Sequence, residues 1–239
     1  MQILVTPDDQ DRGFYAVAVT TGIQGDVDVA VAAQGTGGVF LSTAGGAPNS
    51  FRSIGLSGED IRVLQIQQDG PRSFLWAGAA VAGGEDPGKG AFRWELLGPK
   101  DPPQGPQAFA ANWKAGSCWS LAFQGTTVLA ASHHGGVLRL DVSKQTPAWQ
   151  TMDVNAGLPL RDAAQFLFLQ VNEVAVNPDG DLALAGTDRG VFRSKDEGLH
   201  FSDVSKNEFS DAVTLPATWL FCSEQHEITV VSEDEANRS

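Results

Sequence analysis

The 239-residue chain is poor in the features that mark several functional classes. It has two cysteines, Cys118 and Cys222. Two are too few for a disulfide framework, and each sits in apolar strand sequence, so both read as free buried thiols suited to a reducing compartment. Only 16 Lys and Arg stand against 29 Asp and Glu, a formal net charge of −13, with no basic run. That excludes the clustered cations a phosphate backbone requires, so neither nucleic acid nor an anionic membrane surface is expected as a partner. The acidity itself is read as surface solubility. No window approaches the ~18 apolar residues of a membrane helix, and membrane insertion is not expected. The opening Met1-Gln2-Ile3-Leu4-Val5-Thr6-Pro7-Asp8-Asp9 lacks a basic n-region and a long apolar stretch, so it does not read as a signal peptide, and a cytoplasmic location is expected. No stretch sustains helical periodicity; the nearest, Ala163 to Leu169, reads as strand or ordered linker. The phosphate-binding glycine loop, the serine nucleophile elbow and paired CxxC motifs are absent, and no cofactor is expected.

What is present is turn chemistry and a repeat. The 27 glycines and 12 prolines are spread along the chain, as short strands at regular spacing require, and 42% of residues are hydrophobic. The triplet Gly-apolar-apolar recurs as Gly38-Val39-Phe40, Gly90-Ala91-Phe92, Gly136-Val137-Leu138 and Gly190-Val191-Phe192, at spacings of 52, 46 and 54 residues. Each follows a turn-rich stretch and starts a strand. Upstream of three of them lies an alternating run, clearest in Asp26 to Ala33 with valine at every second position, predicting one set of side chains in the core and the other facing away. Ala33, Ala131 and Ala185, five residues before their glycines, suit a crowded inner site. A further apolar strand precedes each run, and an aromatic strand follows at Phe51, Trp149 and Phe201. Four strands in about fifty residues is the size of a propeller blade.

The expected fold is therefore all-β: a β-propeller of four-stranded antiparallel blades, with about four complete repeats and a partial fifth. One domain over 1–239 is expected, with blades near 14–56, 60–113, 117–155, 170–206 and 218–239, the last completed by 1–6 if a five-bladed ring closes. The alternative is an open arc of a larger propeller.

At Ser194-Lys195-Asp196-Glu197-Gly198-Leu199-His200-Phe201 the sequence resembles the Asp-box, Ser-x-Asp-x-Gly-x-x-aromatic, of propellers of the bacterial-neuraminidase-repeat type. That family includes sialidases, xyloglucanases, sortilin-like receptors and propeller assembly factors of photosystem II. The resemblance runs through 14–231, with one box close to complete; Ser42-Thr43-Ala44-Gly45-Gly46 keeps the serine and a glycine but has Ala44 where aspartate belongs, and Ser143 to Trp149 keeps only the serine and the aromatic. It implies a structural role for Ser194, Asp196, Gly198 and Phe201: a hairpin in which the aspartate bonds turn backbone groups and the aromatic packs under the sheet.

No catalytic set converges. The lone Tyr15 lies in an inner strand, and Arg93, Arg139 and Arg193, each three residues after a repeat glycine, read as same-face strand residues rather than an anion-binding ring. Asp86, Glu95, Glu173 and Asp188 read as solvated strand or turn residues. His133-His134 reads as a hairpin turn rather than a metal site, and Asn177-Pro178-Asp179-Gly180-Asp181 as a turn rather than a calcium loop, because position 188 is aspartate, not the distant glutamate. The divergent stretch from Leu97 to Trp113, with Pro99, Pro102, Pro103 and Pro106, is the candidate contact loop, since proline holds a loop's shape at low entropic cost. The expected function is a non-catalytic protein-interaction or scaffold module in a larger assembly, whose partner is another protein or further copies of the chain. A carbohydrate-active enzyme or lectin is the second reading, with Trp76, Trp94 and Trp113 as stacking platforms for a glycan.

Overall fold

The computed structural model describes residues 13–21, 25–83, 87–97, 103–177, 179–204, 217–222 and 228–232, the last two segments as backbone only. Among them there is no helix, and every paired strand is antiparallel. The first sheet runs β1 (Phe14–Thr21), β2 (Val27–Ala33), β3 (Val39–Ser42), β4 (Arg52–Gly55), each strand hydrogen-bonded to the next in sequence. The second repeats the order with β5 (Asp60–Asp69), β6 (Arg72–Ala80), β7 (Ala91–Leu96) and β8 (Gln107–Phe109). The third has β9 (Cys118–Gln124), β10 (Thr127–Ser132) and β11 (Val137–Asp141), and its fourth strand is reduced to one bridge between Arg139 and Gln150. There the Asp141 carboxylate takes the Ser143 N–H, turning the chain, and Pro147 has no N–H to offer a ladder. A small hairpin, β12 (Leu160–Asp162) and β13 (Leu167–Phe168), occupies the segment with the weak helical look. The fourth sheet is β14 (Val171–Val176), β15 (Ala183–Thr187), β16 (Gly190–Ser194) and β17 (Ser202–Asp203), followed by the pair β18 (Ala217–Cys222) and β19 (Ile228–Ser232). Four-stranded up-and-down sheets repeated along the chain are the blades of a β-propeller. The strands fall into two compact units, one built on β1–β8 and one on β9–β19.

The repeat glycines explain the hairpins. Gly38, Gly90, Gly136 and Gly190 all have positive φ (84°, 71°, 72° and 113°), a conformation that costs a side chain-bearing residue strain. Each is the residue at which the chain leaves the second strand's turn and enters the third.

In the first unit the core forms between two blades. Ala18, Ala30, Ala32, Val39 and Leu41 of the first meet Ile61, Leu64, Leu75, Ala77 and Trp94 of the second. In the second unit Leu129, Ala131 and Val137 of the third blade meet Val171, Val174, Ala185 and Phe192 of the fourth. The alternation expected for β2 is corrected here: from Ala30 to Ala33 every residue is buried, and Asp28 in the polar phase is buried while Val27 is exposed. The cause is stacking. One face of the blade carries the Ala30/Ala32 side of the inter-blade core, and the other carries a separate cluster of Val31, Ala33, Phe40 and Phe51.

Candidate functional site

The turn after β16 is held by side chains. Ser194 Oγ accepts the N–H of Asp196 (3.3 Å) and of Gly198 (2.9 Å) and donates to Asp196 Oδ1 (2.8 Å). Asp196 Oδ1 also accepts the His200 N–H at 2.9 Å, and Oδ2 meets His200 Nδ1 at 2.7 Å. Desolvation, the largest single effect, would raise the Asp196 carboxyl, but the His200 N–H, the His200 ring and the Ser194 hydroxyl together hold it down at about 2. Glu197 and Gly198 take left-handed backbone, φ 61° and 79°. The turn then lies against the preceding blade: Arg139 Nη2 donates to Glu197 Oε2 (2.8 Å), Phe201 N–H donates to the Ala156 carbonyl (2.6 Å), and Phe201 is buried in the core with Leu129 and Leu158. These contacts hold the turn onto the blade before it.

The contact-loop residues separate. Pro99 and Pro102 lie outside the described residues. Pro103 and Pro106 are half-buried, with the Pro106 ring beside Gly55 of β4. Trp113 is corrected from a contact residue to a core one: it is 4% exposed, donates its indole N–H to the Gly116 carbonyl (2.7 Å) and meets Trp149 edge-on at 5.0 Å. Trp76 and Trp94 are buried as well, at 0% and 1% exposure, so none of the three tryptophans offers a face to a glycan.

Beside the start of this loop the structure assembles a feature the sequence reading did not single out. Register places Trp76 of β6, Arg93 of β7 and Gln107 of β8 in one cross-strand row. The Arg93 guanidinium lies over the rings of Phe74 (4.6 Å), Phe109 (5.2 Å) and Trp76 (5.4 Å), and Trp76 stacks on Phe109 at 5.0 Å. Arg93 Nη2 donates to Gln107 Oε1 at 2.8 Å. Burial lowers the Arg93 pKa and the nearby Arg72 lowers it further, partly offset by Glu95 and Asp69. The group borders an open cavity of about 340 Å³. The sequence signal was present as Phe74 and Trp76 two apart on one strand face, but only register shows that Arg93 faces them.

Arg93, Arg139 and Arg193 are equivalent, each on the third strand of its sheet opposite Trp76, Leu129 and Leu184. Tyr15 lies on β1 with the Arg62 guanidinium 3.7 Å from its ring centre. Glu95 and Asp188 are exposed as expected and Asp86 lies outside the described residues. Glu173 is a correction: on β14 its carboxyl is half-buried and accepts the Ser120 hydroxyl of β9, and burial pushes its pKa up to about 7. Ser120 is 53 residues away, so no local pattern could show this. His133 and His134 sit in the turn after β10, their rings edge-to-face at 5.9 Å, with His133 Nδ1 2.9 Å from Gln170 Oε1. The Asn177–Asp181 segment is closed by Asn177, whose Oδ1 accepts the Leu182 N–H and whose Nδ2 donates to Asp181. Cys118 is free and buried.

No protein-family model matches the chain, and no curated protein matches its sequence. Solved structures do match its fold. The β-propeller domain of Cps50 (Swd1) from Myceliophteria thermophila aligns over 93% of this chain with a TM-score of 0.61 and 15% identity. The extracellular domain of the hybrid two-component system BT4673 from B. thetaiotaomicron aligns over 96% at 0.58 and 12%, and BBS1N in complex with ARL6DN over 97% at 0.57 and 9%. The chain spans 64%, 26% and 65% of those proteins respectively. At these identities the likeness establishes the propeller fold.

Proposed function

We propose that the chain is a non-catalytic interaction module of the Asp-box propeller type that works in a larger assembly with another protein. One observation carries this reading. On β1, Val17 and Val19 are 62% and 59% exposed, and Val27 on β2 is 42% exposed. Pairing of Val17 with Val31, Val19 with Val29 and Thr21 with Val27 puts them on one face, continuous with the Val31, Phe40 and Phe51 cluster. The opposite face of the same blade is covered by the second sheet. A row of exposed valines on a sheet that otherwise buries apolar side chains is a surface suited to a protein partner. BBS1N, a propeller of similar fold, was crystallised with ARL6DN, which gives this use of the fold a precedent. The Ser194–Phe201 turn supports the Asp-box assignment through its serine–aspartate bonding and buried aromatic.

The test is native mass spectrometry of the protein purified from its own source. A complex of fixed stoichiometry that holds a second protein supports the proposal. A single copy of the protein with no partner, together with turnover of some substrate, rejects it. The carbohydrate-active enzyme or lectin reading keeps the Asp-box resemblance as its support but not the platforms Trp76, Trp94 and Trp113, which are buried. A glycan panel would find binding only through other residues.

A further inference from the structure

The cavity beside Arg93 goes beyond the assembly reading and stands or falls apart from it. Its walls include Phe74, Arg93, Glu95, Leu97, Gln104 and Gln107, all in the first unit. At about 340 Å³ it is in the range of small-ligand sites. We propose that it binds a single carboxylate carried on an apolar or aromatic body, with the Arg93 guanidinium as the anchor.

Three other arginines of the chain hold carboxylates. Arg62 is paired with Asp60 at 2.9 Å, Arg72 with Asp69 at 2.6 Å and Arg139 with Glu197 at 2.8 Å. Acidic residues outnumber basic ones 29 to 16, so carboxylates are abundant. Arg93 is more enclosed by aromatic rings than any of these three, and its hydrogen-bond acceptor is a neutral amide oxygen, Gln107 Oε1. A guanidinium has five N–H donors in a planar fork that matches a carboxylate, and a half-buried one strengthens such a bond by excluding water. The comparison with Arg139 is direct, because the two hold the same place in their repeats. Arg139 meets a carboxylate from the following blade, 58 residues on; Arg93 meets a cavity.

The walls also state the ligand's other half. Phe74 and Leu97 supply apolar surface, and Leu97 is exposed at the rim. Gln104 and Gln107 offer amide groups for orientation. Glu95 on the wall repels any anion, a doubly charged one such as phosphate about twice as strongly as a monocarboxylate, and so selects against a second charge. The lowered affinity of Arg93 for its proton, caused first by burial and then by Arg72, means that an incoming anion relieves an electrostatic cost already present in the fold.

Benzoate is the first probe and benzamide its neutral control. In 15N spectra of the full chain, benzoate should shift the Arg93 Nε–H resonance saturably, while Arg62, already paired with Asp60, should not respond. Benzamide should give no saturation. Arg93→Gln should weaken benzoate at least about tenfold, the loss expected for a charge-assisted bond. Arg93→Lys keeps the stem and the charge but not the fork, so it should stay folded and weaken benzoate too. Binding of an acetylated, amidated Phe-Glu dipeptide tighter than benzoate would assign the carboxylate to a protein segment; the reverse order would assign it to a small acid. Equal shifts from benzoate and benzamide, or unchanged benzoate binding in both Arg93 variants, overturn the proposal, whatever native mass spectrometry finds of the assembly.

Discussion

Ser42 and Ser194 hold the same turn in two different blades. Ser42 Oγ accepts the N–H of Ala44 (3.2 Å) and of Gly46 (3.1 Å), as Ser194 Oγ accepts those of Asp196 and Gly198. Gly45 and Gly46 have φ of 63° and 75°, matching 61° and 79° at Glu197 and Gly198. Where Ser194 donates to Asp196, Ser42 donates to Ser50 Oγ at 2.5 Å, because Ser50 spends its own proton on the Ala47 carbonyl. The missing aspartate follows from one residue: Asp196 accepts the N–H four positions on, and four positions after Ala44 stands Pro48, which has none.

This equivalence makes the first prediction. Ser42→Ala and Ser194→Ala should each destabilise by about 1–2 kcal/mol, since each leaves two N–H groups without their acceptor, part-buried in the Ser42 turn and including the buried Gly198 N–H in the Ser194 turn. Asp196→Ala should cost less, about 1 kcal/mol, because the carboxylate is partly exposed. Ala44→Asp should bring no gain. Urea denaturation checks all four, and a stabilised Ala44→Asp would contradict the account.

Gly157 allows the blade contact to close. A Cβ at this position would overlap the Phe201 carbonyl oxygen, and its φ of 96° already excludes most residues. Gly157→Ala should therefore lower stability by about 3 kcal/mol or more, in the tail of single-substitution effects. Thermal unfolding reads it.

The Glu173 carboxyl gives stability a pH dependence. Burial raises its pKa from 4.5 to about 7 against the opposing effects of the Ser120 hydroxyl and the Val174 N–H. Between those two values the folded chain keeps a proton that the unfolded chain releases, so this group's contribution is full below about pH 4.5 and is lost as pH rises through 7. The loss should be about 2 kcal/mol, allowing for partial contact with water. Glu173→Gln, which keeps a partner for Ser120, should be more stable than the parent at pH 8 and equal to it at pH 4.5. Asp28, also raised by burial and by Asp26, acts in the same direction and is common to both proteins.

Burial pushes the Cys118 thiol up to about 12. At pH 8 it should resist iodoacetamide in the native protein and react once unfolded, a difference that peptide mapping resolves from Cys222. Equal labelling in both states would contradict the buried placement.

The repeat itself was legible because hairpins need positive φ at fixed places, and Gly38, Gly90, Gly136 and Gly190 mark them in the sequence. Ala33, Ala131 and Ala185 were legible as crowded positions for the same reason, and all three are buried. Burial by face was not legible. Period two assumes one wet face, but Ala30 and Ala32 pack on the second blade while Val31 and Ala33 are covered by Phe40 and Phe51 of their own blade, so Ala30 to Ala33 are all interior. Trp113 looked like a loop residue because its partner Trp149 is 36 positions on, and Glu173 looked solvated because Ser120 is more remote still, 53 positions away. Arg93 belonged to a visible repeat pattern, yet what distinguishes it from Arg139 is the group across from it, which only register and packing supply.

The most direct test of the interaction reading targets the open valine face. The account predicts that the protein from its own source runs as a complex in size-exclusion chromatography with light scattering. Val17→Ser with Val19→Ser should release it as a folded monomer with an unchanged melting temperature. If the complex persists in the double variant, or the unaltered protein is a monomer at every concentration tested, the claim that this face engages a partner is wrong.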